Sequence, residues 1–200
     1  MAIPSILEFA HALAGRALDE GGLAIDATVG NGHDTAFLAR AVGPTGHVLG
    51  FDVQEEALSE ARARLRENVP SASTRLVLAG HQTLGDELDE ARRGEVGAVM
   101  FNLGYLPGGN HSVTTSPNTT RRALAASAEV LRPGGVITVV AYTGHEGGEA
   151  EAQAVKAWGA TLPQDRFRVL SYQFANWSND PPRLFAVEKR GSSPTGEASP

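Results

Sequence analysis

Short β-rich runs alternate with helical segments along this chain, and most of the runs end in glycine, asparagine or aspartate. This alternation leaves few architectures open, because a strand followed by a helix crosses over to a parallel neighbour and builds an α/β sheet. The spacing predicts strands at 23–29, 47–53, 75–79, 96–103 and 136–142, with helices over 34–42, 54–68, 84–93 and 119–131 between them. A further helix over 148–159 precedes two strands, 167–174 and 183–189, whose connection at 175–182 is too short for a helical crossover. The last pair is therefore expected to be antiparallel. Residues 4–18 read as an amphipathic helix leading into the first strand. The tail, 191–200, carries Ser, Pro, Gly and Thr without hydrophobic periodicity and is expected to be disordered. The expectation is one domain, 1–190, with no internal repeat: a doubly wound, mostly parallel seven-stranded sheet with an antiparallel last strand.

Composition narrows the function. The 200 residues contain no cysteine, which excludes disulfides and cysteine-ligated metal sites, and no metal is expected. A net charge of −6 argues against a generic polyanion binder, so any nucleic-acid contact must come from a local patch of cations. No apolar run approaches the ~20 residues needed to span a bilayer, and the start of the chain lacks signal-peptide features, so the expected location is cytoplasmic with no membrane partner.

The first strand runs into a glycine-bearing turn that opens a helix: Asp26, Ala27, Thr28, Val29, Gly30, Asn31, Gly32, His33, Asp34 and Thr35. Glycine at 30 and 32 permits a tight turn and a close backbone approach to a ligand. No Lys-Ser/Thr pair follows, so this is not a triphosphate loop. A dinucleotide fingerprint would want its third glycine where Thr35 stands. The segment instead resembles the acidic-x-Gly-x-Gly-x-Gly motif of class I S-adenosylmethionine methyltransferases, with Thr28 in place of the first glycine. Asp52 closes the second strand 20 residues beyond Gly32, where such folds use a carboxylate for ribose hydroxyls. Leu131-Arg132-Pro133-Gly134-Gly135 resembles the Leu-x-Pro-Gly-Gly that precedes strand five in many of these enzymes. The resemblance makes Asp26, Thr28, Gly30, Asn31, Gly32, His33, Asp34 and Thr35, together with Asp52 and Gln54, candidates to hold S-adenosylmethionine. Where an acidic residue often follows strand three to meet adenine, the chain offers His81 and Gln82.

Strand four ends in Asn102-Leu103-Gly104-Tyr105, where amino-group methyltransferases carry Asn/Asp-Pro-Pro-Tyr/Phe. A nitrogen attacking a sulfonium methyl must present its lone pair in line, so its N–H groups need acceptors. The Asn102 amide oxygen and the Leu103 carbonyl are candidates, with Gly104 beside them. Asn102 also borders the cofactor site, and Tyr105 is a candidate to pack on the substrate or shield the methyl from water.

The combination DATVGNGHDT, FNLGYLPGGNHSVTT, TVVAYTGHEGG and FANWSNDPPRLFAVEK resembles the MnmM family of bacterial tRNA methyltransferases, many of which carry the label putative rRNA methylase. The resemblance covers nearly the whole chain except the tail. It implies transfer of a methyl from S-adenosylmethionine to the amine of 5-aminomethyluridine, often 2-thiolated, at the tRNA wobble position. An enzyme of the same fold acting on rRNA or a small-molecule amine is the nearest rival. A nicotinamide-dependent oxidoreductase and a non-catalytic cofactor-binding module are rivals from other classes.

A primary aliphatic amine is largely protonated at neutral pH, like a lysine with pKa ~10.4, and an ammonium has no lone pair to give. Histidine is the side chain suited to removing that proton. His33, His111 and His145 lie in the resembling motifs; His111 is the first candidate and His145 the second, each with a structural hydrogen bond or cofactor contact as the alternative. On the substrate side, Arg121 and Arg122 are candidate phosphate contacts, on a helix that Ser116 or Asn118 could cap. Arg62, Arg64 and Arg66 read as a solvated helix face. Trp177 is a candidate to stack on an anticodon base, or else a lid on the core. His11 reads as a core or cleft contact rather than a catalyst. A homodimer is compatible with the chain, and no residue specifies one.

Overall fold

In the computed structural model of the chain, residues 2–69, 73–106, 108, 114–178 and 180–191 are described. The chain folds as α1 (Ile6–Arg16), β1 (Leu23–Asp26), α2 (His33–Val42), β2 (His47–Asp52), α3 (Glu55–Asn68), β3 (Ser73–Leu78), α4 (Leu84–Glu87), β4 (Val96–Leu103), α5 (Pro117–Val130), β5 (Leu131–Ala141), α6 (Gly148–Ala160), β6 (Phe167–Tyr172) and β7 (Arg183–Lys189). The seven strands form one sheet in the order β3-β2-β1-β4-β5-β7-β6. Strands β1 to β5 pair in parallel, while β7 runs antiparallel to both β5 and β6, as the short 175–182 connection requires.

Alternate residues of the central strands point to opposite faces, and both faces are buried. Ile25, Val99, Phe101, Ile137 and Val139 pack with α5 and α6 on one side. Ala24, Val48, Ala98, Met100 and Val140 pack with α1 and α2 on the other. The first helix is set by a capping box: the Ser5 hydroxyl accepts the Glu8 N–H at 3.2 Å and the Ser5 N–H donates to the Glu8 carboxylate at 2.8 Å. Among the described residues no helix is long and apolar enough to cross a membrane.

Two expectations need correction. The helix expected over 84–93 is only the single turn of α4, flanked by 3₁₀ turns at His81–Thr83 and Glu90–Arg92. Asp89, a residue type of low helix propensity, lies between α4 and the second of these turns. Leu131 to Gly135, expected to precede strand five, is the first part of β5 itself. A register shift between Val96 and Ala98 opposes it, and Gly134 takes the left-handed φ of +76° that the bulge demands. The expected tail lies, apart from Gly191, outside the described residues.

The strand order reverses between β1 and β4. The loops that leave their carboxyl ends border the crevice in which such sheets hold ligands.

Candidate active site

The crevice is built from the loop after β1. Asp26 is fully buried, and its carboxylate accepts the Thr28 N–H at 3.1 Å and the Thr35 hydroxyl at 2.6 Å. This ties both ends of the glycine turn to the end of β1. Burial and the nearby Asp34 charge push the Asp26 pKa up to about 7, against the pull of the two donors. A carboxyl raised in this way stabilises the fold below its unfolded pKa of 3.8 and loses that contribution as pH rises through about 7. Buried His81, whose pKa is lowered to about 4, has the opposite slope, so only a difference measurement isolates Asp26. The melting temperature of Asp26→Asn minus that of the wild type should grow between pH 4 and 8. A flat difference would disprove a protonated Asp26.

Gly30 and Gly32 take positive φ values of +50° and +76°. Gly32 also lies against α3, and the Arg64 guanidinium reaches back to the Asn31 carbonyl at 2.7 Å. Arg64, expected on a solvated face, therefore braces the turn, whereas Arg62 pairs with Glu55 on the surface. His33, at the start of α2, is exposed and does not line the crevice.

Asp52 stands opposite the turn at the end of β2. One carboxylate oxygen accepts the Gly30 N–H at 2.8 Å and the other the Gln54 N–H at 2.9 Å. Two backbone donors fix the carboxylate and leave further lone pairs for hydroxyls. Asp52→Ala removes that acceptor and the anchor of Gly30 together. At about 1.5–3 kcal/mol for hydrogen bonds to a charged group, S-adenosylhomocysteine should bind roughly 10- to 100-fold more weakly by calorimetry. Unchanged affinity would remove Asp52 from the site.

Gly80, His81 and Gln82 form the far wall of the same cleft. His81 is almost completely buried, meets Phe101 edge-on with ring centroids 5.7 Å apart, and hydrogen-bonds to the Ala27 backbone. Burial keeps the ring neutral, so His81 offers a polar, uncharged surface.

At the end of β4 the Asn102 N–H donates to the Thr28 hydroxyl at 2.6 Å, which gives Thr28 a role that glycine at this motif position could not fill. The Asn102 Nδ2 donates to the Asp34 carboxylate at 2.5 Å. Its Oδ1 is buried and has no hydrogen-bond partner among the described residues. An orphaned buried acceptor is costly, on the order of 1–3 kcal/mol, and marks a place where a ligand donor belongs. The Leu103 side chain is in the core, and its carbonyl already accepts the Tyr142 N–H at 3.1 Å. The Gly104 carbonyl accepts the Thr115 N–H at 3.1 Å, and Tyr105 forms an antiparallel bridge with Thr114, so the chain doubles back over the cleft.

His145 lies beside this loop. Its Nδ1 donates to the Glu146 carbonyl at 3.0 Å, which leaves Nε2 as the second ring nitrogen. Nε2 is buried and unpartnered among the described residues, lies 3.6 Å from where a side chain at Gly104 would begin, and the ring meets Tyr105 edge-on. His111, the first candidate base, lies outside the described residues.

One group was not singled out from the sequence. Glu151 is a buried carboxylate on α6 that accepts the Thr115 and Thr120 hydroxyls, each at 2.6 Å, and so holds the returning loop in place. Its signal was a lone charge among Ala152, Val155 and Gly159 on the buried face of α6. His11, read as a cleft or core contact, lies 2.7 Å from the Asp34 carboxylate.

Among the substrate candidates, Arg121 and Arg122 are exposed on the first turns of α5, next to the cleft-lining Ser116 and Thr119. Ser116 occupies the N-cap position, but its hydroxyl meets that of Thr119 rather than a backbone N–H, and Pro117 takes the first helical position. Trp177, 56% exposed, stacks on Phe174 with ring centroids 4.4 Å apart. Its loop follows β6 at the same sheet edge as the crevice.

The sheet order, the glycine turn held by Asp26, the Asp52 carboxylate and the acceptor at the tip of β4 define a class I methyltransferase. The chain belongs to the family described as putative rRNA methylase, whose model matches residues 48–188; a general methyltransferase-domain model matches residues 18–75. A chloroplastic tRNA (mnm(5)s(2)U34)-methyltransferase of Arabidopsis thaliana is 36% identical over 190 residues, covering 91% of this chain and 69% of the relative. The crystal structure of a putative rRNA-methylase from Clostridium thermocellum matches with a TM-score of 0.89 at 40% identity, covering 94% of this chain and all of that one. A putative methyltransferase from Streptococcus mutans, solved in complex with S-adenosylhomocysteine, has a TM-score of 0.83 at 38% identity, with 94% and 99% of the two chains covered.

Proposed function

We propose that this protein methylates the primary amine of 5-aminomethyl-(2-thio)uridine at the wobble position of tRNA, giving the 5-methylaminomethyl form, with S-adenosylmethionine as donor. The observation that carries the reading is the orphaned Asn102 Oδ1, an acceptor at the tip of β4 awaiting an N–H. The plant relative named for the wobble-uridine reaction points to the same substrate.

The chain's residues fit the cofactor. Gly30 and Asn31 would offer backbone, while the cleft-lining Asp52 and Gln54 would meet the ribose and His81 and Gln82 the adenine; when bound, the molecule supplies a methyl on a sulfonium. The Asp52 carboxylate lines the crevice and gives it negative charge that suits a cation. Asn102 Oδ1 would accept one N–H of the amine and so direct its lone pair. His145 Nε2, buried beside Gly104, is the candidate to take the proton that an ammonium must lose. Tyr105 would cover the amine from water.

The anticodon region is the proposed tRNA contact. One face of Trp177 rests on Phe174 and the other is open to a base, while Arg121 and Arg122 stand where phosphates could lie.

The protein should be incubated with S-adenosylmethionine and tRNA bearing the aminomethyl wobble uridine, and the nucleosides analysed by mass spectrometry. One added methyl on that nucleoside is expected. Methylation confined to rRNA or free amines would replace this reading, and a thermal shift with NAD but not S-adenosylhomocysteine would end it.

A further inference from the structure

We infer that Asp34, held by His11, is a positioning residue that sets which end of the Asn102 carboxamide faces the substrate. A carboxamide carries a donor and an acceptor of nearly the same shape, and only its partners decide which way it lies. Asp34, on the first turn of α2, accepts from Asn102 Nδ2 through one carboxylate oxygen. Rotating the amide would press two acceptor oxygens together. With Nδ2 committed, Oδ1 is the side-chain atom of this cleft-lining residue left without a partner among the described residues.

The second Asp34 oxygen meets His11 Nε2 at 2.7 Å, and the His11 ring lies flat on Phe37, with centroids 4.2 Å apart and 4° between planes. The imidazole is thereby held with its nitrogen against the carboxylate. Asp34 itself is 7% exposed, sits where the helix dipole favours negative charge, and lies outside the cleft lining. This placement makes it a support of Asn102 rather than a cofactor ligand, the role its motif position implied. The consequence is specificity: the cleft reads a nucleophile that carries a hydrogen to donate. The inference rests on the amine-methylating reading for its kinetic arm alone.

The test pairs a spectroscopic with a kinetic measurement on Asp34→Asn, His11→Ala and His11→Gln. In the wild type the Asn102 side-chain amide, assigned by its loss in Asn102→Ala, should show a downfield, slowly exchanging N–H proton in nitrogen–proton correlation spectra. Asp34→Asn should move it toward the position of a solvated amide. The same variant should lower kcat roughly 10- to 100-fold, with the melting temperature kept within about 5 °C and S-adenosylhomocysteine affinity within about twofold. His11→Ala should lose roughly 3- to 10-fold in kcat, and His11→Gln, whose amide can still donate to Asp34, should regain most of it. An unshifted wild-type amide, an unchanged kcat in Asp34→Asn, or cofactor affinity falling in step with kcat would overturn the inference. If the wild type methylates no tRNA, the functional reading fails on its own, and the amide resonance still decides this one.

Discussion

Asn102→Ala should lower kcat on modified tRNA about 100- to 1000-fold, the range seen when one preorganised polar contact to a reacting centre is removed. Asn102 stands at the tip of β4, its backbone N–H tied to Thr28 and its Nδ2 to Asp34, so the carbonyl end is fixed before any substrate arrives. An acceptor fixed in advance needs no reorganisation as the amine approaches. Truncation leaves the sheet pairing of Asn102 with Val140 intact, so the loss should fall on kcat, with S-adenosylhomocysteine affinity nearly unchanged. Single-turnover kinetics beside calorimetry separates the two quantities. Equal single-turnover rates for variant and wild type would withdraw the acceptor role.

Gly32→Ala should destabilise the protein by about 2–5 kcal/mol, from about 1–2 for a side chain in the left-handed region and about 1–3 for overpacking. Its new Cβ would lie 2.7 Å from the Ala61 Cα and 2.8 Å from the Ala61 Cβ, at a backbone φ of +76°. The obstacle is the backbone of α3 beside a fully buried alanine, which has no rotamer to yield. Either α3 moves off the sheet or the glycine turn shifts away from it. The second outcome would displace the Gly30 N–H from Asp52, so cofactor affinity should drop along with the urea midpoint. Gly94 is the internal control: it also has a positive φ, +85°, but nothing lies within 4 Å of its would-be Cβ. Gly94→Ala should therefore lose only the conformational part, about 1–2 kcal/mol. Equal losses at the two positions would show that close packing on α3 contributes nothing.

The division between what was legible and what was not follows from the range of each interaction. The alternation of strands and helices, the glycine turn, Asp52 and the Asn102 loop could be read from the residues because each depends on local periodicity or on a fixed spacing from a strand end. The helix expected at 84–93 failed because a few residues of apolar pattern do not reveal whether a turn will propagate or stop.

By itself the sequence determined the α/β architecture, the antiparallel final pair and the chemistry available at the strand tips, since those follow from side-chain period, loop length and residue type. Tertiary structure alone decided which groups of one type do different work. Asp26, Asp34 and Asp52 read alike along the chain, yet one is buried under two donors, one orients an amide 68 residues away, and one grips the glycine turn. The same holds for His11, Arg64 and Glu151, each defined by partners from 23 to 36 positions distant. A hydrogen bond depends on distance and angle in space, and no local pattern encodes which two distant donors and acceptors the closed sheet will bring face to face.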